Sequence, residues 1–257
     1  MLEMIFTGSV VKSPGGPGPT DLVASYQRPN NPSKVTGYYG TLAAVDFING
    51  PELASLVGAS SSWGDDVELW FKFTIDGKIL FIPKRPASHR IGWQRLYEQG
   101  AVYGYQGFGT RYSSNGVMQN RTITVRGDVY KLRLMTGWNN DPDTVLTLTT
   151  GGQNPVNTSE SEWNRLMYNL GTEAGAVSAR EGPLYGPGYA WSELCSATAG
   201  RGERNLTSSP LYNSDVNQGP GVRGNAAYLT NGTVTSIKYD QADGSVLAWR
   251  PVLELVG

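Results

Sequence analysis

The sequence has few of the residues on which most nucleophilic and metal sites depend. Its 257 residues include one cysteine, Cys195, and one histidine, His89. A single cysteine excludes an intrachain disulfide framework, and a single histidine excludes zinc sites built on two histidines. A Ser-His-Asp or Cys-His nucleophile would have to use His89, which lies in a turn-like segment after Pro86. We therefore expect no catalytic residue, no metal and no cofactor.

An excess of charge and a long apolar run are also missing. Lys and Arg total 21 and Asp and Glu total 22, which gives a formal net charge of −1. This balance provides no basic surface for nucleic acid, so nucleic-acid binding is not expected. No segment is long and apolar enough to predict membrane insertion. The first residues do not follow the pattern of a secretory signal, and we expect synthesis in a cytoplasm.

Glycine and proline are abundant instead, with 33 and 15 residues respectively. They are dense in residues 1–40, a composition that buries too little apolar surface to fold alone. Short helices are predicted at Thr41–Ile48 and after Pro51, where Gly58 suits a helix end. We predict that residues 1–60 form a docking arm and that residues 61–257 form the folded domain.

Two β-hairpins are the clearest elements of the sequence. Apolar and polar residues alternate over Val67–Pro83, and Asp76 and Gly77 supply the left-handed residues of a type I′ turn. A second hairpin is predicted over Thr122–Met135, with its turn at Gly127 and Asp128. Short alternating strands joined by tight turns predict a mostly antiparallel sheet.

The remaining chain combines short helices with long loops. Trp93–Gln99 and Ser159–Leu170 have helical patterns, the second with an apolar face that includes Trp163 and a capping box of Ser159 and Glu162. Residues 171–243 contain almost no periodic pattern and predict a long loop region. A closing strand is predicted at Ser245–Val256.

The segment Asn139-Asn140-Asp141-Pro142-Asp143 has oxygen-rich side chains that could bind a sugar or a calcium ion. An Asx-rich turn before a proline is the simpler interpretation of the same residues. Aromatic residues beside such loops suit carbohydrate faces, although aromatics more often pack in cores. The candidate ligand-binding residues are Trp138, Asn139, Asn140, Asp141, Asp143 and Trp191.

The C-terminal segment Trp249-Arg250-Pro251-Val252-Leu253-Glu254-Leu255 resembles the closing strand of C-type-lectin-like domains of the formylglycine-generating-enzyme type. Residues 69–83, 91–104, 129–137 and 161–167 are similar, in order and content, to virion structural proteins of tailed bacteriophages. The resemblance covers about residues 60–257. The residues that we expect to define the fold are Asp76, Gly77, Trp93, Trp163, Trp249, Arg250 and Pro251.

The resemblance implies an α+β, C-type-lectin-like fold: a small twisted, mostly antiparallel sheet with two short helices and long irregular loops. It implies that the closing strand pairs with the opening strand of the domain. Proline would confine that strand to an edge or a bulge. The generating enzymes need two cysteines, so their oxidation chemistry does not extend to a chain with Cys195 alone.

Three functions are compatible with this reasoning. The first is a non-enzymatic virion protein of a tail, baseplate, collar or capsid decoration, made in the host cytoplasm. It would bind other virion proteins and form a homo-oligomer. The second is an adhesin that recognises a host surface glycan or receptor through the 171–243 loops. The third, and least supported, is a polysaccharide-degrading enzyme that works through two carboxylates.

Overall fold

The computed structural model describes most of the first half of the chain, parts of the second half and the C-terminus. The described residues are 14–29, 31–58, 67–89, 91–109, 116–137, 160–173, 177, 180–194 and 247–257. For residues 146–147, 153–154, 204–213, 217–223 and 237–239 the backbone alone is described.

Fourteen strands lie within these residues. In chain order they are β1 Ala24–Arg28, β2 Asn31–Ala43, β3 Leu69–Ile75, β4 Lys78–Pro83, β5 Ser88–His89, β6 Thr122–Val125, β7 Asp128–Leu134, β8 Leu146–Thr147, β9 Gln153–Asn154, β10 Arg204–Asn213, β11 Asn217–Arg223, β12 Ile237–Tyr239, β13 Leu247–Trp249 and β14 Pro251–Leu255. The main sheet has the order β1-β2-β3-β4-β14-β7-β6, and every neighbouring pair is antiparallel.

Within the described residues the helical elements are few and short. They include a 3-10 turn at Ala44–Asp46, α1 at Gly50–Leu56, α2 at Trp93–Glu98, a π-helix at Trp163–Met167 and α3 at Trp191–Leu194. The predicted α+β class is therefore confirmed at the level of an antiparallel sheet with few short helices. The main sheet has seven strands and is larger than predicted.

Both predicted hairpins are present. β3 pairs with β4 in continuous register, and the turn residues Asp76 and Gly77 have φ of 50° and 83°. β6 pairs with β7, but its left-handed residues are Arg126 and Gly127, with φ of 52° and 94°. The second turn is thus one residue earlier than predicted, so Asp128 begins β7.

The predicted helices are confirmed in part. α1 has Pro51 in its first turn, and the side chain of Asn49 accepts a hydrogen bond from the Glu52 N–H. The prediction of a helix at Thr41–Ile48 is wrong, because β2 continues to Ala43 and only a 3-10 turn follows. β2 pairs with β3 up to that residue, and this tertiary pairing overrides a weak local helical pattern.

The described part of the predicted arm contributes β1 and β2 to the main sheet. β2 pairs with β3 from Thr36 to Ala43, and the side chains of Tyr38 and Tyr39 are buried. Residues before β1 cross the sheet: a Cβ at Gly16 would lie 2.9 Å from Leu255, and Gly18 packs on β2. A division at residue 60 would therefore separate β1 and β2 from strands with which they share hydrogen bonds and core.

The closing strand is central, not peripheral. β14 lies between β4 and β7 and pairs with both, rather than with an opening strand at one edge. The expectation that Pro251 confines the strand to an edge or a bulge is wrong. Proline is tolerated because Pro251 is the first residue of β14, directly after a break at Arg250.

Arg250 explains the break. Its buried guanidinium donates hydrogen bonds to the carbonyl oxygens of Pro83 and Lys84, at 2.7 and 2.5 Å, and to that of Leu194. It thereby ties together the start of β14, the end of β4 and the end of α3. On the other side of the break, β13 pairs with β5 and with β10 in a second sheet.

The second sheet corrects the prediction for residues 171–243. Its path is β5-β13-β10-β11-β12-β9, and β8 pairs with β10. β10 and β11 form an antiparallel pair of ten and seven residues in a region predicted as loop. Their sequences are rich in Asn, Ser, Gly and Pro and do not alternate, which removes the usual strand pattern.

The main sheet is covered on both faces. On the first face, the 3-10 turn, α1 and α2 pack over an apolar cluster that includes Trp70, Phe81 and Trp93. On the second face, the π-helical segment and the 185–194 region pack over a cluster that includes Phe71, Phe73 and Trp163. The two faces differ in how their covering elements are attached, and the second face is attached by charge.

Candidate binding surface

Five of the six candidate ligand-binding residues, Trp138, Asn139, Asn140, Asp141 and Asp143, lie outside the described residues, as does Cys195. The description ends just before them, at Gly137, which follows β7. The sixth, Trp191, is described and is buried, with 2% of its surface exposed. Its ring stacks on that of Trp163, with centroids 6.1 Å apart and an interplanar angle of 4°. It is a packing residue in this structure and does not offer a face to a surface ligand.

A buried ion-pair cluster holds the chain that leads toward residue 138. Arg133 on β7 forms a two-point contact with Glu162, with both N–O distances at 2.6 Å. Its Nε also donates to Glu254 on β14 at 3.0 Å. The backbone N–H of Thr136 donates to the same Glu162 carboxylate at 3.1 Å. The segment after β7 is therefore fixed to the start of the π-helix.

Electrostatics favour the charged state of this cluster. Burial opposes the charge on Glu254, but Arg133, Lys78 and Lys131 outweigh it and hold the pKa of Glu254 below its usual value. Burial likewise opposes the charge on Arg133, and Glu162 and Glu254 overcome it, so that the pKa of Arg133 is raised. Arg133 binds both carboxylates, and the cluster thereby fixes β7, β14 and the segment at Glu162 relative to one another.

A second arginine clamp starts from the middle of the π-helix. Arg165 contacts Asp76 through two hydrogen bonds of 2.6 and 2.7 Å. It also donates to the carbonyl oxygen of Val35 and to the hydroxyl of Thr36 on β2. Burial opposes the charge on Asp76, but Arg165 and Lys34 lower the pKa of this carboxyl. The turn residue Asp76 thus shapes the hairpin and also attaches the second-face covering.

Glu162 has partners that the sequence did not indicate. It was expected to form a capping box with Ser159, which lies outside the described residues, and its carboxylate binds Arg133 and the Thr136 N–H. The helix is a π-helix in which Asn164 and Arg165 are buried along with the predicted apolar face. Its ion-pair partners are 29 and 89 residues away in sequence, so no local pattern could indicate them.

An aromatic loop at residues 103–109 presents the clearest exposed apolar side chains near a rigid frame. Phe108 is 48% exposed, and Met118, on the adjoining segment, is 38% exposed. The two segments are joined by a hydrogen bond of 2.8 Å from the Gln119 N–H to the Gly107 carbonyl. Nothing in the sequence marked this loop as a contact surface, because exposure cannot be inferred from composition.

Buried Gln119 makes that loop rigid. Its side-chain amide donates to the carbonyl oxygens of Tyr97 and Val117, both at 2.9 Å, and its oxygen accepts from the Val102 N–H at 3.2 Å. Close packing adds to this, because a Cβ at Gly109 would lie 2.3 Å from the Tyr103 ring. We define the exposed side chains of Phe108 and Met118, with the half-buried Tyr105, as the aromatic tip.

Other kinds of site were sought in the same residues. No group of three or more metal-ligating side chains occurs among them. No described helix has the length and apolar character needed to cross a membrane. Comparison with protein-family models, with curated proteins and with solved structures found no match for this chain.

Proposed function

We propose that this chain is a non-enzymatic structural protein of a bacteriophage virion, in a tail, baseplate, collar or capsid decoration, where it docks on other virion proteins. The similarity of four ordered segments to such proteins motivates the proposal. The observation that carries it is the aromatic tip, in which Phe108 and Met118 are exposed on a loop fixed by buried Gln119. Rigid, exposed aromatic and Met side chains are typical of protein–protein contacts.

The buried ion pairs of the protein also favour a scaffold role. The charged side chains of the two clamps, Arg133 with its two glutamates and Arg165 with Asp76, are used to hold elements together. Such buried pairs fix geometry more than they add stability. A particle protein needs fixed presentation of its contact surfaces, and this arrangement supplies it.

The finer fold assignment belongs to the same proposal. We propose that the main sheet and its covering form a C-type-lectin-like module. Support comes from the β3–β4 hairpin, the short helices and the closing Trp249-Arg250-Pro251 segment. The central position of β14 departs from the pairing that the resemblance implies. A crystal structure of the full chain would test the assignment through the connections between the strands of the two sheets.

Incorporation into particles tests the functional proposal. The variant F108S/M118S should fold normally, because both side chains are exposed, but its occupancy in purified particles should fall at least about tenfold. Quantitative mass spectrometry of particles, assembled with the variant in place of the original chain, measures this. The control V23S removes another exposed apolar side chain, 55% exposed, at the far edge of the sheet. Equal occupancy of F108S/M118S and V23S would contradict the docking role of the aromatic tip.

A receptor-binding adhesin is a second candidate, favoured by one observation. The Asn- and Asp-rich segment 138–143 starts one residue after Gly137, next to the Thr136 contacts with Glu162. A ligand loop attached to a rigid clamp is a common design for recognition. If it binds a host glycan, W138A should reduce host adsorption of particles while leaving their assembly intact. Unchanged adsorption would remove Trp138 from the binding role.

A further inference from the structure

The two edge strands of the main sheet, β1 and β6, differ in whether other described residues cover them. At one edge, Arg28 of β1 pairs with Glu160 and with Glu181, the latter at 2.6 Å. A Cβ at Gly182 would lie 2.6 Å from the Tyr26 ring, so this chain segment lies against β1. The β1 edge is thus protected by covering chain and by charge. At the other edge, β6 is the last strand, and no described residue pairs with its outer side.

The hydrogen-bond pattern shows which groups are open on β6. The two-residue turn makes Val125 and Asp128 the closing hydrogen-bonded pair, and the Leu132 N–H bonds the Arg121 carbonyl at 2.9 Å. In antiparallel strands, hydrogen-bonded residue pairs alternate with pairs that are not hydrogen-bonded to each other. The backbone N–H and C=O groups of Thr122 and Thr124 therefore point away from β7. The side chains of both threonines are exposed.

We infer that β6 pairs antiparallel with β6 of a second copy of this chain, joining two main sheets across a two-fold axis. With Ile123 on the axis, Thr122 of each copy lies opposite Thr124 of the other. Each pair exchanges two backbone hydrogen bonds, and threonine pairs across strands are favourable. The surface is self-complementary, as a two-fold interface requires. This inference does not depend on the proposed function.

The charges near β6 are compatible with this register. Arg121 lies opposite Val125 of the second copy, and Arg126 lies opposite Asn120, so guanidinium groups do not face each other. Both arginines are also held back on their own chain. Arg121 donates to the Leu56 carbonyl at 2.9 Å, and Arg126 donates to the Val45 carbonyl at 2.6 Å.

Exposed apolar side chains flank the same edge. Val45 is 77% exposed and Leu56 is 45% exposed, and the arginine contacts place them near opposite ends of β6 on one face of the sheet. A two-fold axis perpendicular to the sheet brings Leu56 of one copy toward Val45 of the other, and the reverse. An isolated monomer leaves both of its side chains in water, whereas the dimer brings the four of the two copies together, which argues for a second copy as the occupant.

Charge-swap variants test both the interface and its register. Sedimentation equilibrium of the full chain should show a dimer. T122E/T124E places two glutamate pairs opposite each other and should weaken dimerisation at least about tenfold. Its fold should persist, because Thr122 faces Lys131 on its own chain, and circular dichroism checks this. T122E/T124K places Glu opposite Lys twice and should restore dimerisation to within about threefold.

The control S25E/Q27E adds the same charges, with the same spacing, to exposed positions on β1. It should dimerise like the original chain. A monomeric original chain would overturn the inference, as would a T122E/T124E variant that dimerises normally. A T122E/T124K variant that stays as weak as T122E/T124E would overturn the register, and a control that loses dimerisation would point to β1 instead.

Discussion

The two faces of the main sheet are covered by different means. On the first face, Phe47 packs edge-on to Trp70 and Tyr130, with ring centroids 5.1 and 5.4 Å away. On the second face, Arg133 and Arg165 attach the covering segment to β7 and to the β3–β4 turn. The first attachment is mainly aromatic and apolar, with Arg121 and Arg126 bonding backbone carbonyls, whereas the second includes pairs of arginine with buried carboxylates. The faces should therefore respond differently to substitution and to pH.

The largest effect is expected from breaking the Arg133 clamp. R133M leaves Glu162 buried without its cation and leaves Glu254 with only the two lysines Lys78 and Lys131, which should lower the free energy of unfolding by about 3–5 kcal/mol. Urea denaturation at neutral pH measures this. The control is K131M, because the exposed Lys131 lies 3.7 Å from the same Glu254 and should contribute less than about 1 kcal/mol. Similar losses in the two variants would show that the buried cluster is not what attaches the second face.

The clamp at Asp76 should give an intermediate effect. D76N keeps a residue that tolerates the left-handed turn but removes the charge bound by Arg165, which should cost about 1.5–3 kcal/mol at neutral pH. The same logic predicts acid sensitivity. The pKa values of Asp76 and Glu254 are lowered in the fold, so their stabilisation is present above their unfolded values and is lost as pH falls through the folded ones.

Stability should thus decline below about pH 4, because the carboxyls bind protons there in the unfolded chain but stay ionised in the folded one. Thermal unfolding between pH 2 and pH 7 measures the slope. The D76N curve should be flatter in the acid range than that of the original chain. Parallel curves would mean that Asp76 does not contribute to the acid sensitivity.

The smallest effect is expected on the first face. F47L keeps most of the apolar volume and loses mainly the ring geometry with Trp70, Phe81 and Tyr130, which should cost about 1 kcal/mol. The loss should be the same at pH 4 and pH 7, because no titrating group is involved. Urea denaturation at both pH values checks this. A loss that changes with pH would contradict the claim that the first face is insensitive to pH.

The first face was also the more predictable one. The hairpin at Asp76 and Gly77, the helix that starts near Pro51 and the helix at Trp93 follow from turn chemistry and local periodicity. β2 was missed because its consecutive residues from Thr36 to Tyr39 are all buried, so the alternation that marks a half-exposed strand is absent. Gly, Pro and Ser around it suggested an arm.

The second face required contacts that sequence does not display. Asp76 and Arg165 are separated by 89 positions, and Arg133 and Glu254 by 121, which leaves no local signal of pairing. Trp191 was assigned to a binding surface because its neighbours suggest a loop, yet stacking on Trp163 buries it. The aromatic tip was not predicted as a contact surface, since its exposure depends on how Gln119 holds it.

Immunogold electron microscopy of purified particles, with antibody against residues 61–257, is a direct test of the proposed virion role. We expect discrete labelling at one place on the particle, at the tail tip, baseplate, collar or head. That position would also separate an adhesin from a decoration protein. Unlabelled particles, with the protein recovered free in the lysate, would contradict a role in the virion.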